Sequence, residues 1–258
     1  MSIWEQMYQA LPPAASRSVW QDIYGKFYLA WFESDRWMTY FQGLATTLQV
    51  TVMALAIGVV LGVLVAVIRT AHDQQRPGQG SLPARILLKV VNFICKIYVT
   101  IIRGTPMMVQ LMIMGMIIFK NSREFTMVGA LALGINSGAY VAEIIRGGLM
   151  SLDAGQSEAG RSLGLGYLDT MRFIVIPQAF KAILPSLGNE FIVLLKDTSL
   201  ISVIAGKEIV YFAKAITTKT YEPMFPLLIT AVMYLILVMI FSWLQGKLER
   251  RLRQSDRR

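Results

Sequence analysis

Residues 44–68 read LATTLQVTVMALAIGVVLGVLVAVI, and from Leu44 to Ile68 no side chain carries a charge. A bilayer core of about 30 Å is crossed by roughly 20 helical residues, so this stretch reads as a transmembrane span. Pro223–Gly246, PMFPLLITAVMYLILVMIFSWLQG, is a second uncharged run. Its two prolines stand near the start, where the first N–H groups of a helix have no partner to lose. Thr126–Ala142 is uncharged as well and reaches spanning length at Ile145 by taking in Glu143. Around these runs lies a chain of 258 residues, 55% of them hydrophobic, with a mean hydropathy of +0.51. That is more apolar surface than a soluble globule of this size hides.

Counting removes several function classes. The one cysteine, Cys95, excludes an internal disulfide, and the one histidine, His72, excludes a multi-histidine metal site or a charge-relay pair beyond itself. Both fall in or near the first inner loop and are expected at the surface. The net charge of +9 suits nucleic acid, anionic lipid or a sided membrane protein. The basic residues stand at the ends of apolar runs and are not interleaved with aromatics, which selects the membrane and gives no nucleic-acid partner.

Two further segments are less uniform. Ile97–Phe119 spans with a kink predicted at Arg103, Gly104 and Pro106, and Ala84–Lys96 before it reads as a separate amphipathic surface helix. Ile183–Ala205 carries Asn189 and Glu190 near one end and Lys196, Asp197 and Thr198 near its middle, yet the stretches flanking that triplet are apolar. The expectation is an all-α integral membrane protein with five transmembrane helices, near 44–68, 97–119, 126–145, 183–205 and 223–246. With the N-terminus outside and the C-terminus inside, 16 Lys and Arg fall on the inner side and 8 on the outer, the bias of the positive-inside rule. Residues 1–43 lack the basic start and apolar core of a cleaved signal. Their Trp and Tyr content from Trp20 to Tyr40 fits either a helix lying among lipid headgroups or a loose extracytoplasmic tail. Residues 247–258 form a basic tail suited to anionic lipid.

The loop between the third and fourth spans is too long for a mere connection. Within 150–180, Ala154–Leu163 reads as a short helix, Gly164 and Gly166 as a turn, and Tyr167–Ile176 as a second short helix started by Asp169 and ended by Pro177. Glu158-Ala159-Gly160, three residues, Gly164, nine residues, then Ile174-Val175-Ile176-Pro177 resembles the E-A-A-x3-G-x9-I-x-L-P loop of permease subunits in bacterial ABC importers. Gly160 replaces an alanine, which loosens a helix by up to about 1 kcal/mol. Arg103-Gly104-Thr105-Pro106 with Val109-Gln110-Leu111, Pro177-Gln178-Ala179-Phe180, Asn189-Glu190-Phe191 and Leu195-Lys196-Asp197-Thr198-Ser199-Leu200 are similar to the polar amino acid uptake branch of that family.

The resemblance, which covers about Gly43 to Gly246, implies a type I importer permease in the bacterial inner membrane. It implies that the loop at 154–177, with Glu158, Ala159, Gly160, Arg161, Leu163, Gly164 and Pro177, is a coupling helix seated in a cleft of a separate ATPase. No G-x-x-x-x-G-K-[ST] occurs in the sequence, so ATP and Mg belong to a partner ATPase dimer, and no cofactor, metal or bond-making catalysis is expected of this chain. Two docking clefts and one loop require a second permease chain, identical or related. An extracytoplasmic solute-binding protein is the remaining implied partner.

Candidates for a substrate path are Thr105, Gln110, Glu143, Lys196, Asp197 and Thr198. Each has a plainer reading: Glu143 stands one turn before Arg146 and suits an ion pair with it, and Lys196–Asp197 suits a self-satisfied pair in a broken helix. Arg103 suits snorkelling or a contact between chains. The alternative function is a secondary amino acid transporter driven by an ion gradient, with Lys196 and Asp197 as the ion-linked site.

Overall fold

The computed structural model describes residues 2–75 and 81–255, and among these every regular element is helical. Arg76 and the end of the basic tail, Arg257 and Arg258, lie outside the described residues. The chain opens with α1 (Ile3–Gln9) and α2 (Val19–Trp31). Ser18 starts α2 with a capping box, its hydroxyl accepting from Gln21 N while the Gln21 side chain accepts from Ser18 N. The two helices close on aromatic pairs: Trp4 stacks on Phe32 and Tyr8 on Tyr28, with centroids 4.9 and 4.5 Å apart. Residues 20–40 are thus a folded helix leading through a turn into the next, and not a loose tail.

The first span is longer than its apolar run. Helix α3 covers Arg36–Asp73, 38 residues, about 57 Å at 1.5 Å per residue and longer than a whole bilayer of about 40–45 Å. It runs on at both ends because nothing from Trp37 to Thr70 breaks a helix. Its main partner is α6 (Phe125–Met150). Small residues let the two backbones meet: a Cβ on Gly62 would stand 2.5 Å from Val141 Cγ1, and one on Gly134 2.7 Å from Ile57 Cβ.

Helix α4 (Leu82–Gly104) merges the expected surface helix and the start of the second span into one element. Its amphipathic pattern reflects one face packed on α3 and α6, and Cys95 is buried there with Val65, Val99, Ala139 and Ala142. The expected surface place for Cys95 is therefore wrong. The break falls where Pro106 forces Thr105 into extended backbone. The chain resumes in α5 (Met107–Met112) and a π-helical turn at Ile113–Ile118.

After α6 come α7 (Ala154–Ser162), α8 (Tyr167–Thr170) and α9 (Ile176–Asp197). Pro177 does not end a helix, contrary to the sequence reading. A π-turn at Met171–Val175 runs α8 directly into α9, and Pro177 follows that turn within the continuing helix, the i→i+5 bonding of the π-turn accommodating its missing N–H. The expected span 183–205 is shorter at its far end: α9 stops at Asp197, and Thr198–Ile204 is a 3₁₀ run that reverses at Ala205, φ +61°. Helix α10 (Ile209–Thr220), unforeseen in the sequence, follows, and α11 (Met224–Ser255) completes the fold. Leu111, Leu133, Leu194 and Ile201 fill the central core between α5, α6 and α9.

Candidate functional site

The first candidate site is an open cavity of about 660 Å³ between α4, α6, α9 and α11, lined by Arg103, Tyr140, Glu143, Asn189, Glu190, Gln245 and Glu249 among others. Three carboxylates face one guanidinium. Arg103 leaves the last turn of α4 and forms an ion pair with Glu143 of α6. Its guanidinium also lies 5.1 Å from the centroid of the Tyr140 ring. Glu143 thus pairs across helices and not with Arg146, which bonds Asp73 of α3 at 3.1 Å. Glu190 is 8% exposed, and its Oε1 accepts a hydrogen bond from Ser137 Oγ at 2.7 Å. Two residues that line the cavity, Asn189 and Glu190, entered the sequence reading as polar residues near one end of 183–205 and in the family pattern, but not as candidates for the path. Their one residue-level signal was a polar pair inside an apolar segment.

The other sequence candidates stand apart from this cavity. Gln110 Nε2 donates to Ile102 O and to Thr105 Oγ1, both at 2.8 Å, and Asn136 Nδ2 donates to Gln110 Oε1 at 2.9 Å. These bonds satisfy the backbone freed at the Pro106 break, beside a smaller, largely apolar cavity of about 250 Å³. Lys196 is exposed and Asp197 half-buried at the end of α9. Thr198 is fully buried and donates to Leu195 O at 2.7 Å, within its own turn.

The second candidate site is the helical loop after α6. Asp153 caps α7, its Oδ1 accepting from Gly155 N at 2.9 Å. The other end is closed by two bonds, Leu165 N to Gly160 O at 3.1 Å and Gly164 N to Arg161 O at 2.9 Å. This is the Schellman arrangement, which places the residue after the cap in the left-handed region. Gly164 occupies that place with φ +78°. Gly160 is buried against Thr170: an added Cβ would lie 2.8 Å from Thr170 Oγ1. Its role is close packing of α7 on α8, not the loosening suggested by propensity.

Glu158, Ala159, Arg161 and Leu163 face outward, and Leu163 and Leu168 are each 78% exposed around the turn. Glu158 stands 3.9 Å from Arg161, a solvent-exposed pair. The loop is tied to the body of the protein by Gln178 Nε2 donating to Gln156 Oε1 at 2.9 Å and by Tyr167 OH donating to Gln74 Oε1 at 2.6 Å. The site is therefore a rigid, tethered knob with an apolar and carboxylate-bearing surface.

These two sites on an all-helical bundle define a membrane transport component. The model of the family described as "Binding-protein-dependent transport system inner membrane component" matches residues 79–254, and the chain belongs to that family. It is similar to the arginine transport system permease protein ArtQ of Bacillus subtilis, 33% identical over 220 residues that cover 83% of this chain and 93% of that one. It is also similar to the glutamine transport system permease protein GlnP of Escherichia coli K12, 34% identical over 217 residues, with coverages of 82% and 92%. Among solved structures, a chain of an amino acid ABC transporter crystallised with histidines matches at 39% identity and a TM-score of 0.72, covering 83% of this chain and 94% of that one. A chain of the inward-facing methionine transporter MetNI, at 18% identity and a TM-score of 0.69, shares the fold. The gradient-driven reading finds no support, because the family described is one of binding-protein-dependent systems.

Proposed function

We propose that the chain forms the membrane path for a polar or charged amino acid and is driven through α7 by a separate ATPase dimer. The named cargoes of the relatives, arginine and glutamine, support the substrate class. The observation that carries the coupling role is the α7 knob: an exposed carboxylate at Glu158 on a helix whose end is fixed by the Gly164 turn. A carboxylate so held offers a charge-assisted bond to a basic group of the partner.

The helices leave room for five crossings. Three, Glu33–Asp73, Phe125–Met150 and Met224–Leu252, are long and apolar enough to cross by themselves. The runs from Leu82 to Ile118 and from Tyr167 to Ile204 supply the other two, with the N-terminus outside by the charge bias. The bacterial inner membrane is the setting, a second permease chain closes the open side of the cavity, and a solute-binding protein delivers cargo from outside.

Within the cavity, Arg103 is suited to receive the α-carboxylate and Glu190 the ammonium group of an amino acid. A carboxylate withdrawn from water with one hydrogen-bond donor is stabilised by an arriving cation. Glu143 holds the guanidinium in place. Glu158→Lys tests the coupling role: the ATPase is expected to stop copurifying and uptake to stop, and retention of both in this variant refutes it. Glu190→Gln tests the path: uptake is expected to fall while the ATPase still copurifies.

A further inference from the structure

The unit formed by α1 and α2 displays apolar side chains that none of the other described residues covers. Ile3 and Met7, one turn apart on α1, are 67% and 51% exposed, and Val19 and Trp20 at the start of α2 are 74% and 80% exposed. From Val19 the stripe continues one turn at a time through Ile23 to Phe27, both half-buried. Phe27 packs edge-on against Phe225 of α11, centroids 5.6 Å apart, beside the exposed Met224 and Leu228. Trp31, at the end of α2, stacks on Tyr40 and meets Phe41, whose ring in turn meets Trp37. The apolar stripe is thus continuous at two places with the outward-facing apolar sides of α3 and α11, the two helices most able to stand in lipid.

The opposite character is also present. Lys26 Nζ reaches Asp22 at 2.9 Å and Glu222 at 3.4 Å, so the charges of α2 are drawn together toward the turn before α11. A helix with one apolar, Trp-bearing side and one charged side lies in the plane of a membrane surface, its apolar side sunk by about 5–10 Å. We propose that α1 and α2 form a membrane-lying clasp, seated among the lipid headgroups of the leaflet where α3 begins, that fastens the starts of the first and last spans to each other. A docked soluble protein would need this face turned away from the bilayer, whereas the Phe27–Phe225 and Trp31–Phe41 contacts keep it beside the lipid-facing side chains. The clasp requires an embedded chain and makes no use of the ATPase.

The test uses the full chain in liposomes of phosphatidylethanolamine and phosphatidylglycerol, with Cys95, buried in the core, left in place. Nitroxide labels at Met7→Cys and Val19→Cys are expected to collide with oxygen, relative to a water-soluble nickel chelate, several-fold more than a label at Ser16→Cys. They should approach Val60→Cys on the exposed side of α3. Labels at 7 and 19 as open to nickel as the one at 16 overturn the clasp. Shielding from both agents, or shielding that appears only on adding a solute-binding protein, overturns it too. A water-like label at Val60 would instead defeat the embedding itself. In the unlabelled chain, Trp20→Phe should reduce the tryptophan fluorescence quenched by lipid brominated near the headgroup, and unchanged quenching counts against the proposal.

Discussion

Gly160 and Gly164 stand four residues apart and are glycine for different reasons. Gly164 needs the left-handed region, which costs another L-residue about 1–2 kcal/mol, so Gly164→Val is expected to lower the melting temperature modestly and uptake severely, measured on the reconstituted complex. Gly160 needs room: Gly160→Ala puts a methyl against Thr170 and is expected to destabilise by about 1–3 kcal/mol. Thr170→Ala in the same chain should recover most of that, read as the coupling in a double-mutant cycle of thermal unfolding. The need for Gly164 was legible in the sequence, because a turn between two short helices names its glycine, but the same part was given to Gly166, which sits at φ −67° as the N-cap of α8. The packing of Gly160 was not, since it depends on where α8 returns. Arg103 and Glu143 teach the same lesson, for sequence distance favours Arg146 as the partner of Glu143, and only the fold brings α4 beside it.

At the scale of elements, the apolar runs located α3, α6 and α11 well, while their ends escaped the sequence because a helix continues past its apolar stretch until something stops it. The elements misjudged were those around proline and around buried polar residues. Pro177 reads as a stop, yet the helical run continues through it, directly after a π-turn. Helix α10 was hidden because its N-cap is a glutamate: Glu208 is fully buried, and its carboxylate accepts from Val210 N, Tyr211 N and Tyr234 OH at 2.8–2.9 Å. Burial outweighs these bonds and pushes its pKa up from 4.5 to about 7. Between those values the folded state binds more protons than the unfolded one, so this group's contribution to stability is full below pH 4.5 and is lost as pH rises through about 7. Thermal unfolding of the purified protein should accordingly show a melting temperature that falls across this window. Glu208→Gln is expected to flatten that part of the slope.

For the molecule as a whole, the cavity of Arg103, Glu143 and Glu190 is open on one side, and the chain offers one α7 knob. Native mass spectrometry of the assembled transporter is expected to find two permease chains with two ATPase chains, and a complex with one permease chain would refute the pairing. The all-helical fold and the short helices of the loop after α6 were legible because bilayer thickness and turn chemistry write themselves into local sequence. The cavity was not, because it is assembled from four helices that sequence order separates.

The uninterrupted run from Tyr167 to Asp197 has a mechanical corollary. Thirty-one residues at 1.5 Å each make a rod of about 46 Å, with the α7 loop beside one end and Glu190 toward the other. A rod of that length tilted by about 10° moves its tip by roughly 8 Å, more than the width of a glutamine side chain. Leverage of this kind would turn a small displacement beside α7 into a large one beside Glu190.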